Sequence, residues 1–126
     1  MNFTRDNLDK VLAGTKSRTT RLARDSACRY VVGRTYAVCP GRGKRAEGRI
    51  RITAVRRVEW FGEDIDDRIT VDEKADHARR EGFETWEGFV RAFVEINGQY
   101  VGGEWVWYSP LWVIDFELVK EGDDDR

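Results

Sequence analysis

One histidine, two cysteines, two prolines and one methionine are all that this 126-residue chain holds of those residue types. Each scarcity closes off a class of function. With His77 alone, mechanisms built on paired histidines have nothing to draw on, and its place inside a predicted helix reads as a satisfied or an exposed helix residue. Cys28 and Cys39 are too distant for a C-x-x-C pair and have no second pair to complete a zinc site, so free or structural thiols are expected. Glu73, His77 and Glu81 share a helix face through their four-residue spacing, yet no second ligand set accompanies them, and neither a metal nor another cofactor is expected. The sequence has no P-loop and no G-x-G-x-x-G, which removes support for triphosphate hydrolysis. No apolar run approaches the ~20 residues of a membrane span, and no apolar leader opens the chain. The expectation is a soluble cytoplasmic protein with no membrane partner.

Aromatic residues and charge are plentiful. Five Trp, six Phe and four Tyr, in a chain that is 40% hydrophobic, can furnish an aromatic-rich core. A single domain over residues 1–126 is expected, with its core over about 3–119 and a polar tail at 120–126. The formal net charge of -1 conceals a segregation: residues 15–57 carry 13 Lys/Arg against 2 Asp/Glu, whereas residues 58–126 carry 7 against 19. A basic third folded onto one surface would attract phosphates, and basic strands interleaved with acidic ones would neutralise them. The first is favoured, because the basic run surrounds the segment that begins at Gly14.

The element pattern is mixed α and β. Thr4 is placed as an N-cap with Phe3 and Leu8 as its staple, and Leu8, Val11 and Leu12 form the buried stripe of a first helix. Asp25-Ser26 suggests a turn. Strands are predicted over 35–39 and 46–60, the latter alternating Ile50 and Ile52 with Arg49 and Arg51. Thr70 and Glu73 form a capping box, so a helix should run from Val71 to near Gly82 and a second from Trp86 to Ile96, burying Trp86, Phe89, Val90 and Phe93. Residues 100–110 fit either a strand or an aromatic loop. The last strand, 111–119, is expected to bury Trp112, Ile114, Phe116 and Leu118 and to leave Asp115 and Glu117 wet.

The candidate site follows the first helix. Gly14 suits a left-handed cap, and the amides after it are expected to be free for anion or oxyanion recognition. In an extended chain Thr19 and Arg21 point the same way. Lys16 can activate a Thr19 hydroxyl if burial or the Arg18 and Arg21 cations disfavour its ammonium form, and a glutamic acid can protonate a departing amine.

Gly14-x-Lys16-x-x-Thr19-x-Arg21 at the end of a short helix resembles the G-x-K-x-x-(E/T)-x-R signature of ASCH domains, a PUA-like family. The Ala78-Arg79-Arg80-Glu81-Gly82-Phe83 helix end, the Thr85-Trp86-Glu87-Gly88-Phe89 helix start and the closing Trp112-Val113-Ile114-Asp115-Phe116 strand fit as well, and the resemblance spans roughly residues 3–119. It implies an α+β fold built on a small bent β-barrel with flanking helices. The small bacterial members that deacetylate N4-acetylcytidine imply a metal-independent amidohydrolase with Lys16 as proton acceptor, Thr19 as nucleophile and Glu81 as donor. Gly14, Arg18 and Arg21 are then ligand-binding residues. This chain is longer than those enzymes around 40–45 and 96–110. Other members imply RNA-binding or modified-base reader modules or a single-strand ribonuclease, and a protein-interaction adaptor is a further alternative. The expected partner is RNA or a nucleoside, and for polymeric RNA the cations Arg42, Lys44 and Arg45 would extend the positive surface.

Overall fold

The computed structural model describes residues 1–23, 27–59, 70–101, 104–106 and 110–120, with 99–101 and 104–106 described by backbone alone. The expected turn at Asp25-Ser26, the end of a strand at Trp60, Trp107-Tyr108 and the tail from Glu121 lie outside these residues. In chain order the elements are α1 (Arg5–Ala13), β1 (Arg18–Leu22), β2 (Thr35–Val38), β3 (Gly48–Val58), α2 (Val71–Glu81), α3 (Trp86–Asn97), β4 (Gln99–Val101), β5 (Glu104–Val106) and β6 (Leu111–Leu118). Four strands form a curled antiparallel half-barrel in the order β1-β6-β3-β2, and β4 pairs with β5 as a hairpin within the segment left open between strand and loop.

Local chemistry accounts for these boundaries. The Thr4, Thr70 and Thr85 hydroxyls accept hydrogen bonds from the amides of Asn7, Glu73 and Gly88, capping the three helices. Gly14 and Gly82 end α1 and α2 with φ of 81° and 90°, a left-handed turn that costs a side-chain-bearing residue about 1–2 kcal/mol. Ile50 and Ile52 point into the core as the alternation requires, and a β-bulge between Ile52 and Ala54 then shifts the register of β3 against β6.

The sheet is buried on both faces. On one side α1 packs Leu8 and Val11 against Ile50, Ile52, Ile114 and Phe116, and on the other Ala78, Phe89 and Phe93 of α2 and α3 cover Leu111 and Val113. This corrects the expectation that β6 has one wet face. Asp115 lies on the face that Leu111 and Val113 share, and both its carboxylate oxygens accept from Arg18, at 2.5 and 3.1 Å. Glu117 is exposed as expected.

Basic and acidic segments interleave more than the count of charges suggested. Arg18 sits opposite Asp115 and Arg51 opposite Glu117 in the β registers, each pair in salt-bridge contact, and Arg5 bonds Glu47. The charge contrast along the chain is thus spent partly on strand pairing.

Candidate active site

The segment between α1 and β1 is stitched in place from three sides. Thr15 and Lys16 donate their amides to the Lys10 carbonyl at 3.0 and 3.1 Å, Ser17 donates to Arg80 O at 2.7 Å, and Ser17 O accepts from Phe116 N at 3.0 Å. The amides expected to be free after Gly14 are therefore consumed, because the αL turn folds the chain back onto the α1 end and the α2 C-terminus. They form no oxyanion hole in this arrangement.

With its start fixed, β1 alternates. Arg18 and Thr20 face α2, where both meet His77. Thr19 and Arg21 face the other way: Arg21 Nε donates to Thr19 Oγ1 at 3.0 Å and Nη2 to Asn2 O at 2.8 Å, while its guanidinium lies 5.0 Å from the Phe3 ring centroid.

Lys16 and Glu81 meet at this edge. Lys16 Nζ donates to Glu81 Oε1 at 2.7 Å and to the Glu81 carbonyl at 3.1 Å, and both side chains are 3% exposed. Glu81 Oε2 accepts from the Thr20 hydroxyl and lies 3.1 Å from His77 Nε2. Burial pushes the Lys16 pKa down against the opposing pull of Glu81. Burial alone would push Glu81 up, but the Lys16 ammonium and the bond from His77 outweigh it and hold the carboxyl below the ordinary value. The resting form is an ion pair joined by a charge-assisted hydrogen bond of 2.7 Å.

A cleft of about 150 Å³ opens onto these groups. Lys16, Thr19, Thr20, Arg21 and Glu81 contribute its polar lining, Phe3, Phe83, Phe89 and Phe93 its aromatic one. The arrangement can do proton transfer at one end and ring stacking at the other.

Of the residues expected at a site, the fold brings Lys16, Thr19, Arg21 and Glu81 together in this cleft. It does not bring Gly14, which borders a separate shallow cleft with Arg79 and Arg80, nor Arg18, whose guanidinium is 8% exposed and engaged by Asp115 and His77. Arg42, Lys44 and Arg45 are exposed and outside the cleft lining. Two residues of the network escaped the sequence reading: Thr20 and His77, the latter 1% exposed. Their signals were present in the two-residue spacing of Arg18 and Thr20 and the four-residue spacing of His77 and Glu81. Glu73 is exposed while His77 and Glu81 are buried, and no cluster of three metal-ligating side chains occurs among the described residues.

A half-barrel flanked by three helices is the fold of ASCH-domain proteins of known structure. The chain has that fold. It is similar to an ASCH domain from Lactobacillus crispatus JV V101, at 20% identity over 90% of this chain and 70% of that one, with a TM-score of 0.58. It is also similar to an ASCH protein from Zymomonas mobilis, at 11% identity over 95% of this chain and 69% of that one, TM-score 0.52. A protein from Enterococcus faecalis V583 assigned to DUF984 aligns at 18% identity over 88% of this chain and 68% of that one, TM-score 0.53. No protein-family model and no curated protein sequence matches the chain. No helix among the described residues is long and apolar enough to cross a membrane.

The buried network predicts an acid-labile fold. Burial holds His77 below its ordinary 6.5, and its surroundings hold Glu81 below 4.5. In both cases the unfolded chain binds more protons, so stability falls as pH drops below about 6.5 and falls again below about 4.5. Chemical denaturation from pH 8 to pH 4 should show this loss, and His77→Gln should remove its first part. A stability independent of pH between 8 and 5 would contradict the assignment of a neutral buried His77.

Proposed function

We propose that the cleft binds a nucleobase and that the protein is an amidohydrolase that removes the acyl group of an N4-acetylcytidine-like nucleoside. The observation that carries this reading is the Lys16–Glu81 pair, nearly excluded from solvent and opening onto the cleft that Thr19 also lines. Its exchangeable proton gives the pair two forms, ammonium with carboxylate and amine with carboxylic acid. In the second, Lys16 is a base and Glu81 an acid, the two roles that amide cleavage needs together.

The steps balance. Thr19 Oγ1 attacks the acyl carbon as its proton passes to the Lys16 amine, and the carbon–nitrogen bond breaks as Glu81 protonates the leaving amino group. This leaves an acyl-threonine ester and the ion pair. Water then attacks the ester, giving its proton to the Glu81 carboxylate, while the Lys16 ammonium returns a proton to Thr19 as the carboxylic acid departs. The Arg21 N–H on Thr19 Oγ1 favours the developing alkoxide. The phenylalanines of the cleft offer stacking at ~1–3 kcal/mol per base. Incubation of the purified protein with N4-acetylcytidine and other N-acylated nucleosides tests the reading: acyl release is expected, and a protein that binds these nucleosides without cleaving any would be a reader instead.

A second reading, binding of polymeric RNA, is favoured by the exposed Arg42, Lys44 and Arg45. Their loop follows Cys39, whose carbonyl accepts from the amide of Phe3, a residue of the cleft lining. Replacing all three by Gln is expected to weaken binding of a single-stranded oligonucleotide. It should also shallow the salt dependence, by about 0.7 in slope for each lost phosphate contact. An unchanged slope would exclude this loop from the interface.

A further inference from the structure

We infer that Thr20 and His77 are positioning residues that confine the exchangeable proton of Glu81 to Oε1, the oxygen that faces Lys16. The inference rests on the proposed amidohydrolase reading and adds to it the groups that decide where the acid's proton resides.

Two independent contacts fix the state of the imidazole. Arg18 can only donate, so His77 Nδ1, 3.1 Å from Arg18 Nη1, must be the accepting nitrogen. The Thr20 hydroxyl spends its one proton on Glu81 Oε2, so Thr20 Oγ1, 3.1 Å from His77 Nε2, can only accept there. Both require a neutral ring with its proton on Nε2. Asp115 in turn holds Arg18 through two bonds, and the ring is wedged edge-on against Phe89 and Trp86. The donor reaching Glu81 from α2 therefore has a fixed direction.

The consequence concerns the carboxyl. Oε2 accepts from Thr20 Oγ1–H and lies 3.1 Å from His77 Nε2, whose single N–H is shared between Thr20 Oγ1 and Oε2, and a proton added there would collide with these donors. Among the described residues Oε1 meets only Lys16, and it is open to a proton when Lys16 is the amine. Among the described residues the other charges near this pair are the Arg21 guanidinium from β1, Lys10 on the Lys16 side and, beyond His77, Arg18 and Arg56, all of which favour the carboxylate. The proton that Lys16 passes to Glu81 thus stays on Oε1, between the two side chains, where the reaction uses it. A carboxyl lacking these donors would take protons more readily and on either oxygen.

Thr20→Val, Thr20→Ser and His77→Phe test this by two measurements. The first is a carbon-13 titration of the Glu81 carboxyl in the folded protein. The second is the pH–rate profile of acyl release. A hydrogen bond to a charged group is lost in Thr20→Val, so the Glu81 midpoint and both limbs of the profile should move to higher pH by about one unit. Thr20→Ser should restore the wild-type values, which a purely structural role would not require. His77→Phe keeps an aromatic ring in place and should move the midpoint in the same direction, providing the readout if the valine variant fails to fold. A Glu81 midpoint, or acid limit, unchanged in both folded variants would overturn the inference. Absence of acyl release by the wild type would overturn the enzymatic reading instead, with the titration still deciding the roles of Thr20 and His77.

Discussion

Glu81→Ala is expected to lower folding stability by about 3–5 kcal/mol, because it leaves the Lys16 ammonium buried without a counter-charge. The same substitution strands the Thr20 hydroxyl and removes an acceptor from His77, so little of the cost can be recovered by local relaxation. Replacing both partners is much milder. Lys16→Met with Glu81→Leu exchanges two desolvated charges for apolar side chains of similar length, and although the Thr20 hydroxyl still loses its acceptor, the double variant should be clearly more stable than Glu81→Ala. Thermal or denaturant unfolding of the single and double variants checks this directly. A Glu81→Ala protein as stable as wild type would mean that the pair is wetter than the cleft geometry indicates. The pair is thus a poor device for stability, which is why its retention in a cleft is best explained by chemistry.

Thr19→Ala should abolish turnover, with a loss on the order of 10⁴-fold or more in kcat, because the nucleophile and its base act as a unit. Stability should change far less, since the lost contact is one hydrogen bond from Arg21 Nε, worth about 1 kcal/mol. Binding of the nucleoside should be nearly unaffected, the aromatic side of the cleft being intact. Thr19→Ser should retain activity. Initial rates for the three proteins decide the matter, and full activity in Thr19→Ala would transfer the attack to a water activated by Lys16.

Much of this architecture was legible in residue patterns because it depends on local geometry. The threonine caps, the two left-handed glycines and the alternation of Ile50 and Ile52 each involve contacts within a few residues. The pairing of Lys16 with Glu81 could be anticipated only through the resemblance to ASCH domains, since 65 residues separate them and no spacing rule spans that distance. The misjudged features are those that depend on what covers an element. Asp115 looked like a solvent-facing residue because the strand pattern does not reveal that α2 and α3 lie over its face. The amides after Gly14 looked free because a glycine cap announces the turn and not the carbonyls, of Lys10 and Arg80, that await the chain beyond it. For His77 a helical position left satisfied and exposed both open; it is buried and satisfied, by groups that also hold Glu81.

The most direct test of the central claim compares acyl release from N4-acetylcytidine by the wild type and by the Lys16→Met, Glu81→Leu double variant, with unfolding measured on the same samples. The wild type should release the acyl group, and the double variant should be folded, more stable than Glu81→Ala, and inert. Equal rates in the two proteins would show that the buried pair takes no part in the chemistry.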